Sequence, residues 1–106
     1  MQNAAALENM IFQALADPSR RAIFESLTRG EAAVKGLTAR FDISQPAVSQ
    51  HLAALKEAGL VNGRRDGRCV YYRVVPRGMK PLIDWIAHFG WKMMGTKLVD
   101  MLARIP

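Results

Sequence analysis

The chain is short of several things, and each shortage excludes a class of function. It has one cysteine, Cys69, in 106 residues. That excludes an internal disulfide and an all-thiolate metal cage within one chain. No apolar run reaches about 18 residues, so no membrane-spanning helix is expected. The opening MQNAAALENM has neither a basic start nor a long apolar stretch, so it does not read as a secretory signal. A cytoplasmic protein is the default expectation. There is no repeat at any fixed period, no low-complexity tract and no linker. Acidic residues are scarce: 9, against 15 lysines and arginines, for a net charge of +6. A balance of that sign favours a polyanionic partner, nucleic acid first and an anionic membrane surface second.

What is present fits one small domain. Half of the residues are hydrophobic and 23% are charged, the composition of a globular chain. At this length the core is thin, a deep substrate pocket has little room, and self-association is favoured. The positive excess is not spread evenly. Residues 1–39 carry four basic and four acidic side chains, residues 40–73 six and three, and residues 74–106 five and two.

Periodicity predicts a helix over about 4–16, with Leu7, Met10, Ile11, Ala14 and Leu15 at helical spacing. Asp17-Pro18 interrupts it as an N-cap and first helical residue. A second helix follows to near Gly30, with Ala22, Ile23 and Leu27 as its apolar face. A short third helix covers about 34–41, with Leu37 and Phe41 inward and a poorly signalled start at Ala32 and Ala33. After a break at Asp42-Ile43, Ser44 caps a fourth helix, with Pro46 in its first turn and Gly59 beyond its end. Asp66-Gly67 then centres a polar stretch, Asn62 to Arg68, between strand-like runs, which predicts a hairpin ended by Pro76. Helical spacing returns over about 77–104. Such a helix would be about 40 Å long, more than one small domain can cover. Its apolar stripe therefore predicts a second copy of the chain. Gly90 and Gly95 weaken the helix locally and are placed to bend it or to allow close approach.

The third and fourth helices make a helix-turn-helix over about 34–58. In the fourth, Val48, Leu52 and Leu55 share the inward face. Gln45, Ser49, Gln50 and Ala53 share the other, with no carboxylate and no large apolar residue. That is what a helix lying in a major groove requires. Gln50 suits bidentate bonding to adenine, Ser49 a base or a phosphate, and the methyl of Ala47 a thymine methyl. His51 stands at the edge, placed to touch phosphate or to pack. Arg64, Arg65 and Arg68 around the hairpin turn form a wing, over about 62–75, able to reach phosphates or the minor groove. Either feature alone fits an ordinary solvated surface. Side by side they predict a winged helix-turn-helix: mostly α with a small β-hairpin wing, in the order α-α-α-α-β-β-α.

Four stretches, LADPSRRAIFESL (15–27), ISQPAVSQHLAALKEAGLV (43–61), RRDGRCVYYRV (64–74) and the helical tail, resemble the ArsR/SmtB family of bacterial transcriptional repressors. The resemblance spans nearly the whole chain. It implies a homodimer held by the first and last helices, with two recognition helices in successive major grooves of a palindromic operator. The DNA contacts it implies are Ser44, Gln45, Pro46, Ala47, Ser49, Gln50 and His51, with Arg65 and Arg68 on the wing. Interface candidates are Leu7, Met10 and Ile11, with Leu82, Ile86, Phe89 and Met93. Arg20 and Arg21 fit backbone contacts or structural ion pairs equally well.

One departure is informative. Ala33 and Lys35 stand where many members place metal-binding cysteines. The tail offers Asp84, His88 and Asp100 without the spacing of the family's second metal site. Four ligands cannot be assembled at either place. The chain therefore resembles the metal-independent branch, and no metal or cofactor is expected. Trp85, Phe89, Trp91, Met93 and Met94 fit a dimer core better than a ligand pocket. Cys69 reads as a packed strand thiol rather than a redox switch, and His88 as a structural histidine.

Two other classes are disfavoured. A winged helix used to bind an acidic protein would suit the basic charge, but the recognition face lacks acidic and large apolar residues. An enzyme is excluded by the absence of a phosphate loop, paired carboxylates or a metal quartet. Ser49 and His51, two apart on a helix, do not face each other.

Overall fold

The computed structural model describes residues 4–93, with side chains for all of these except Ala4, Phe89, Trp91, Lys92 and Met93. Two helices open the chain, α1 (Ala4–Ala16) and α2 (Pro18–Leu27). The Asp17-Pro18 break between them is a capped start. Asp17 is extended, and its Oδ1 accepts from the Arg20 amide at 2.9 Å. Pro18 follows where a missing N–H is harmless.

A two-residue strand, β1 (Ala32–Ala33), leads directly into α3 (Val34–Phe41). The sequence reading contains no such strand. It also explains the weak helix start, because Ala33 caps α3 without any side-chain bond while its backbone lies opposite Tyr71 in the sheet. The turn between α3 and α4 (Gln45–Glu57) uses Asp42 in the left-handed region, φ 52°. Aspartate tolerates that conformation better than most residues. The Ser44 Oγ then accepts from the Ala47 amide at 3.3 Å.

Helix α4 ends in a Schellman arrangement. The Gly59 amide reaches Lys56 O and the Leu60 amide reaches Leu55 O, each at 2.9 Å. This requires φ 80° at Gly59, which a glycine adopts freely. The chain continues into β2 (Val61–Asp66) and β3 (Cys69–Val74), and the sheet order is β1-β3-β2, all antiparallel. Asp66 pairs with Cys69, so the loop is Gly67-Arg68, one residue later than the sequence suggests. Gly67 has φ 63° and Arg68 is not left-handed, which is the Gly-X type of tight hairpin turn.

The tail begins with a 3-10 turn over Pro76–Met79 and becomes α5 at Lys80–Met93, three residues later than the spacing suggests. The expected continuation to 104 lies outside the described residues. The turn docks on the end of α4: the Val75 amide donates to Leu60 O at 2.9 Å, and Gly78 lies against Gly59.

Among the described residues, the buried hydrophobic core draws on α1 to α4 and not on α5. Ile11, Ile23, Leu37, Val48, Leu52, Leu55 and Leu60 are essentially inaccessible. Full burial of one such side chain contributes about 1.5–3 kcal/mol. Tyr72, Val74 and Leu82 pack on its margin. The core therefore anchors α4 through its inward stripe and leaves the opposite face free.

Candidate nucleic-acid interface

Helix α4 presents Ser44, Gln45, Pro46, Ser49, Gln50 and Ala53 as exposed residues, with Ala47 and His51 half-buried. Val48, Leu52 and Leu55 are buried beneath them. No carboxylate occurs on this helix before Glu57. Its N-terminus carries the positive end of the helix dipole, which favours phosphate, though Pro46 has no N–H and Ser44 takes the Ala47 amide. The helix is therefore divided into a buried face and an exposed, mostly polar face.

The edge of this face is fixed from α2. The Arg20 Nε donates to His51 Nδ1 at 3.4 Å, linking α2 to the recognition helix. Arg20 in turn follows the Asp17 cap. The Arg20 amide, and secondarily the Arg20 charge, hold the Asp17 carboxyl below its usual range. Arg21 donates to Leu15 O at 2.6 Å. Neither arginine lies within 4.0 Å of a carboxylate oxygen among the described residues, although the Arg20 charge acts on Asp17.

The three wing arginines separate. Arg65 and Arg68 are exposed and have no acidic partner among the described residues. Arg64, also expected on DNA, has partners within the chain. Its Nη2 binds Glu31 Oε1 at 2.5 Å, its guanidinium lies 5.2 Å from the Tyr71 ring centroid, and Asp66 lies 3.8 Å away. Strand alternation explains the split, since Arg64 and Arg65 point to opposite faces of β2. Nothing in a single sequence marks Glu31 as the partner, because only the unforeseen β1 brings it beside β3.

The interface candidates also separate. Ile11 is fully buried in the core of its own chain and has no surface to offer a partner. Leu7 is half-buried, and Met10 and Leu82 pack against the same core. Ile86 is 53% exposed, as an interface residue should be in a single chain. The side chains of Phe89 and Met93 lie outside the described residues, as do those of Trp91 and the whole of Met94 and Asp100. Ile83, part of the expected apolar stripe of the tail helix, is exposed, and the structure adds exposed Phe12, which the helical spacing does not include. Phe12 meets Trp85 edge to face, ring centroids 5.3 Å apart.

Cys69 is exposed at the end of the wing rather than packed. His88, expected as a structural histidine, is exposed in the single chain. Asp84 pairs with Lys80 at 2.7 Å. Among the described residues no three His, Cys, Asp or Glu side chains cluster as metal ligands would, and no helix is long and apolar enough to cross a membrane.

Known proteins share this arrangement. Residues 17–63 match the family model described as bacterial regulatory protein, arsR family. The chain is 33% identical over 81 residues to the transcriptional repressor SdpR of Bacillus subtilis, covering 76% of this chain and 90% of that protein. It is 34% identical over 84 residues to the transcriptional activator HlyU of Vibrio cholerae, covering 79% and 78%. The crystal structure of an ArsR family transcriptional regulator superposes with a TM-score of 0.76 at 32% identity, covering 88% of this chain and 98% of that one. With its winged helix-turn-helix, the chain belongs to the ArsR family of bacterial DNA-binding transcriptional regulators, and it is not an enzyme.

Proposed function

We propose that this protein is a cytoplasmic homodimeric repressor that binds a palindromic operator without sensing a metal. The observation that carries the reading is the exposed face of α4, polar, free of carboxylates and anchored by a buried stripe. Ser44, Gln45, Pro46, Ala47, Ser49, Gln50 and His51 meet the major groove, and Arg65 and Arg68 meet phosphates or the minor groove beside it. Dimerisation is supported by Phe12, Ile83, Trp85 and Ile86, an exposed apolar set on α1 and α5. Metal independence is supported by Ala33 and Lys35 at the positions of the family's usual thiolates. Repression follows the name of the relative SdpR, while HlyU, named an activator, favours the opposite sign.

The test is selection of random duplex DNA by the purified protein, followed by sequencing. An inverted repeat with half-site centres about one helical turn apart is the expected product. No enrichment at low or moderate salt would refute the reading. The selected site, placed over a reporter promoter, decides the sign: the protein should lower expression, and raised expression would make it an activator.

A further inference from the structure

The outer face of the three-stranded sheet carries a cross-strand arrangement that the reading helix does not need. Arg64 on β2 stands opposite Tyr71 on β3, and Tyr71 stands opposite Ala33 on β1. Continuing that antiparallel register places Glu31, just before β1, beside Arg73. The Arg64 side chain runs across the Tyr71 ring and ends on both Glu31 oxygens, through Nη2 at 2.5 Å and Nε at 3.4 Å. One guanidinium thus reaches all three strands. The hydrogen bond from Arg64, followed by the charges of Arg64 and Arg73, holds the Glu31 carboxyl below its usual range.

The position of this contact matters more than its strength. Both partners are more than a third exposed, so the pair adds little to global stability. Buried Val61, with Tyr72 and Val74 at the core margin and the β1–β3 pairing, already fixes the base of the wing, and the Arg64 contact adds a tie midway along it. Glu31 lies at the entry to α3, the first helix of the helix-turn-helix, and Arg64 lies midway along the wing. The bond therefore links wing and helix-turn-helix across β3. We propose that Glu31, Arg64 and Tyr71 form a clasp that sets the angle of the wing to the recognition helix, with Arg64 a positioning residue and not a phosphate contact. The carboxylate and the ring occupy the guanidinium. The cations left for DNA are Arg65 on the opposite face of β2 and Arg68 in the turn.

This inference rests on the DNA-binding reading for its purpose, but it is tested in two independent arms. The first needs no DNA. Amide hydrogen exchange of the full-length protein is compared with that of Glu31→Gln and Arg64→Gln. Both variants should speed exchange across β2 and β3 roughly two- to fivefold, the range of an exposed pair, and leave the amides around Leu52 and Leu55 unchanged. Unchanged wing exchange in both variants would overturn the clasp.

The second arm uses the selected operator duplex. Glu31→Gln and Arg64→Gln should weaken binding by similar factors. The double variant should be no weaker than either single one, and the salt dependence should keep its slope. A phosphate contact predicts otherwise: Arg64→Gln alone weakens binding, the slope falls by about 0.9, and Glu31→Gln binds as well as the parent or better. That pattern would overturn the proposal. If the parent protein selects no DNA at all, the functional reading fails, and the exchange arm still decides the clasp.

Discussion

Two glycines in helical segments should respond in opposite ways to the same methyl group. At Gly78, a Cβ would lie 2.0 Å from Gly59 O, 2.9 Å from Gly59 C and 3.3 Å from Leu60 Cα. All three are backbone atoms, so no rotamer relieves the overlap. Restoring ordinary contact means moving the 3-10 turn by more than 1 Å from the end of α4. Overpacking of this kind costs about 1–3 kcal/mol. The Val75–Leu60 hydrogen bond spans the same junction, and losing it adds about 0.5–1.5 kcal/mol. The expected loss for Gly78→Ala is therefore roughly 2–4 kcal/mol, or a fall in Tm of at least about 8 °C in a domain of this size. At Gly36, inside α3, nothing lies within 4 Å of a new Cβ. There Ala improves helix propensity by about 0.5–1 kcal/mol, and Tm should rise by a few degrees. Thermal melts at one protein concentration compare the two, since self-association makes Tm depend on concentration. A Gly78→Ala protein melting within about 2 °C of the parent would refute the account of the α4–tail junction.

Further outcomes follow from the site. Gln50→Ala should relax preference at one base position of the selected site, at a cost of about 1–3 kcal/mol there, whereas Arg68→Ala should weaken binding to all sequences alike and lower the salt slope by about one; competition with base-substituted duplexes separates the two. Ile86→Glu places a charge on the exposed apolar face and should shift the protein to monomer in sedimentation experiments, without unfolding it; an unchanged sedimentation coefficient would move the interface elsewhere. Asp17 and Glu31 both have carboxyls held below the usual range, so their contributions are complete above about pH 4–5 and fade as pH falls through the lowered values. Asp17→Asn keeps a capping side chain, so it should match the parent near pH 7 and lose less stability between pH 5 and 3, as read by melts across that range.

Much of this was legible in the chain itself. The capped starts at Asp17 and Ser44 rest on side-chain chemistry three residues long. The buried stripe Val48, Leu52, Leu55 is a local period. Both depend on neighbours in sequence. What escaped notice depends on neighbours in space. A two-residue strand at Ala32–Ala33 has no period to detect, and it exists only because β3 offers its free edge. Once that pairing is missed, Glu31 has no visible partner, and Arg64 looks like one more cation at the tip. Ile11 shows the same limit from the other side. A helix that meets both its own core and an open face carries two apolar stripes, and spacing alone does not say which residue serves which. The open stripe joins Phe12, which the spacing does not include, to Ile83 of the expected tail stripe and Trp85 of the expected dimer core.

The hairpin loop has only two residues, and that makes the wing a ruler with coarse divisions. Each cross-strand pair adds about 3.4 Å of reach. Removing a single pair, such as Arg65 with Val70, would also turn every residue beyond it to the other face. Length that preserves facing can therefore change only by two pairs at a time, about 7 Å. That step is close to the width of a minor groove, about 6 Å. A wing that contacts DNA as proposed would therefore gain or lose about one groove width at each such step.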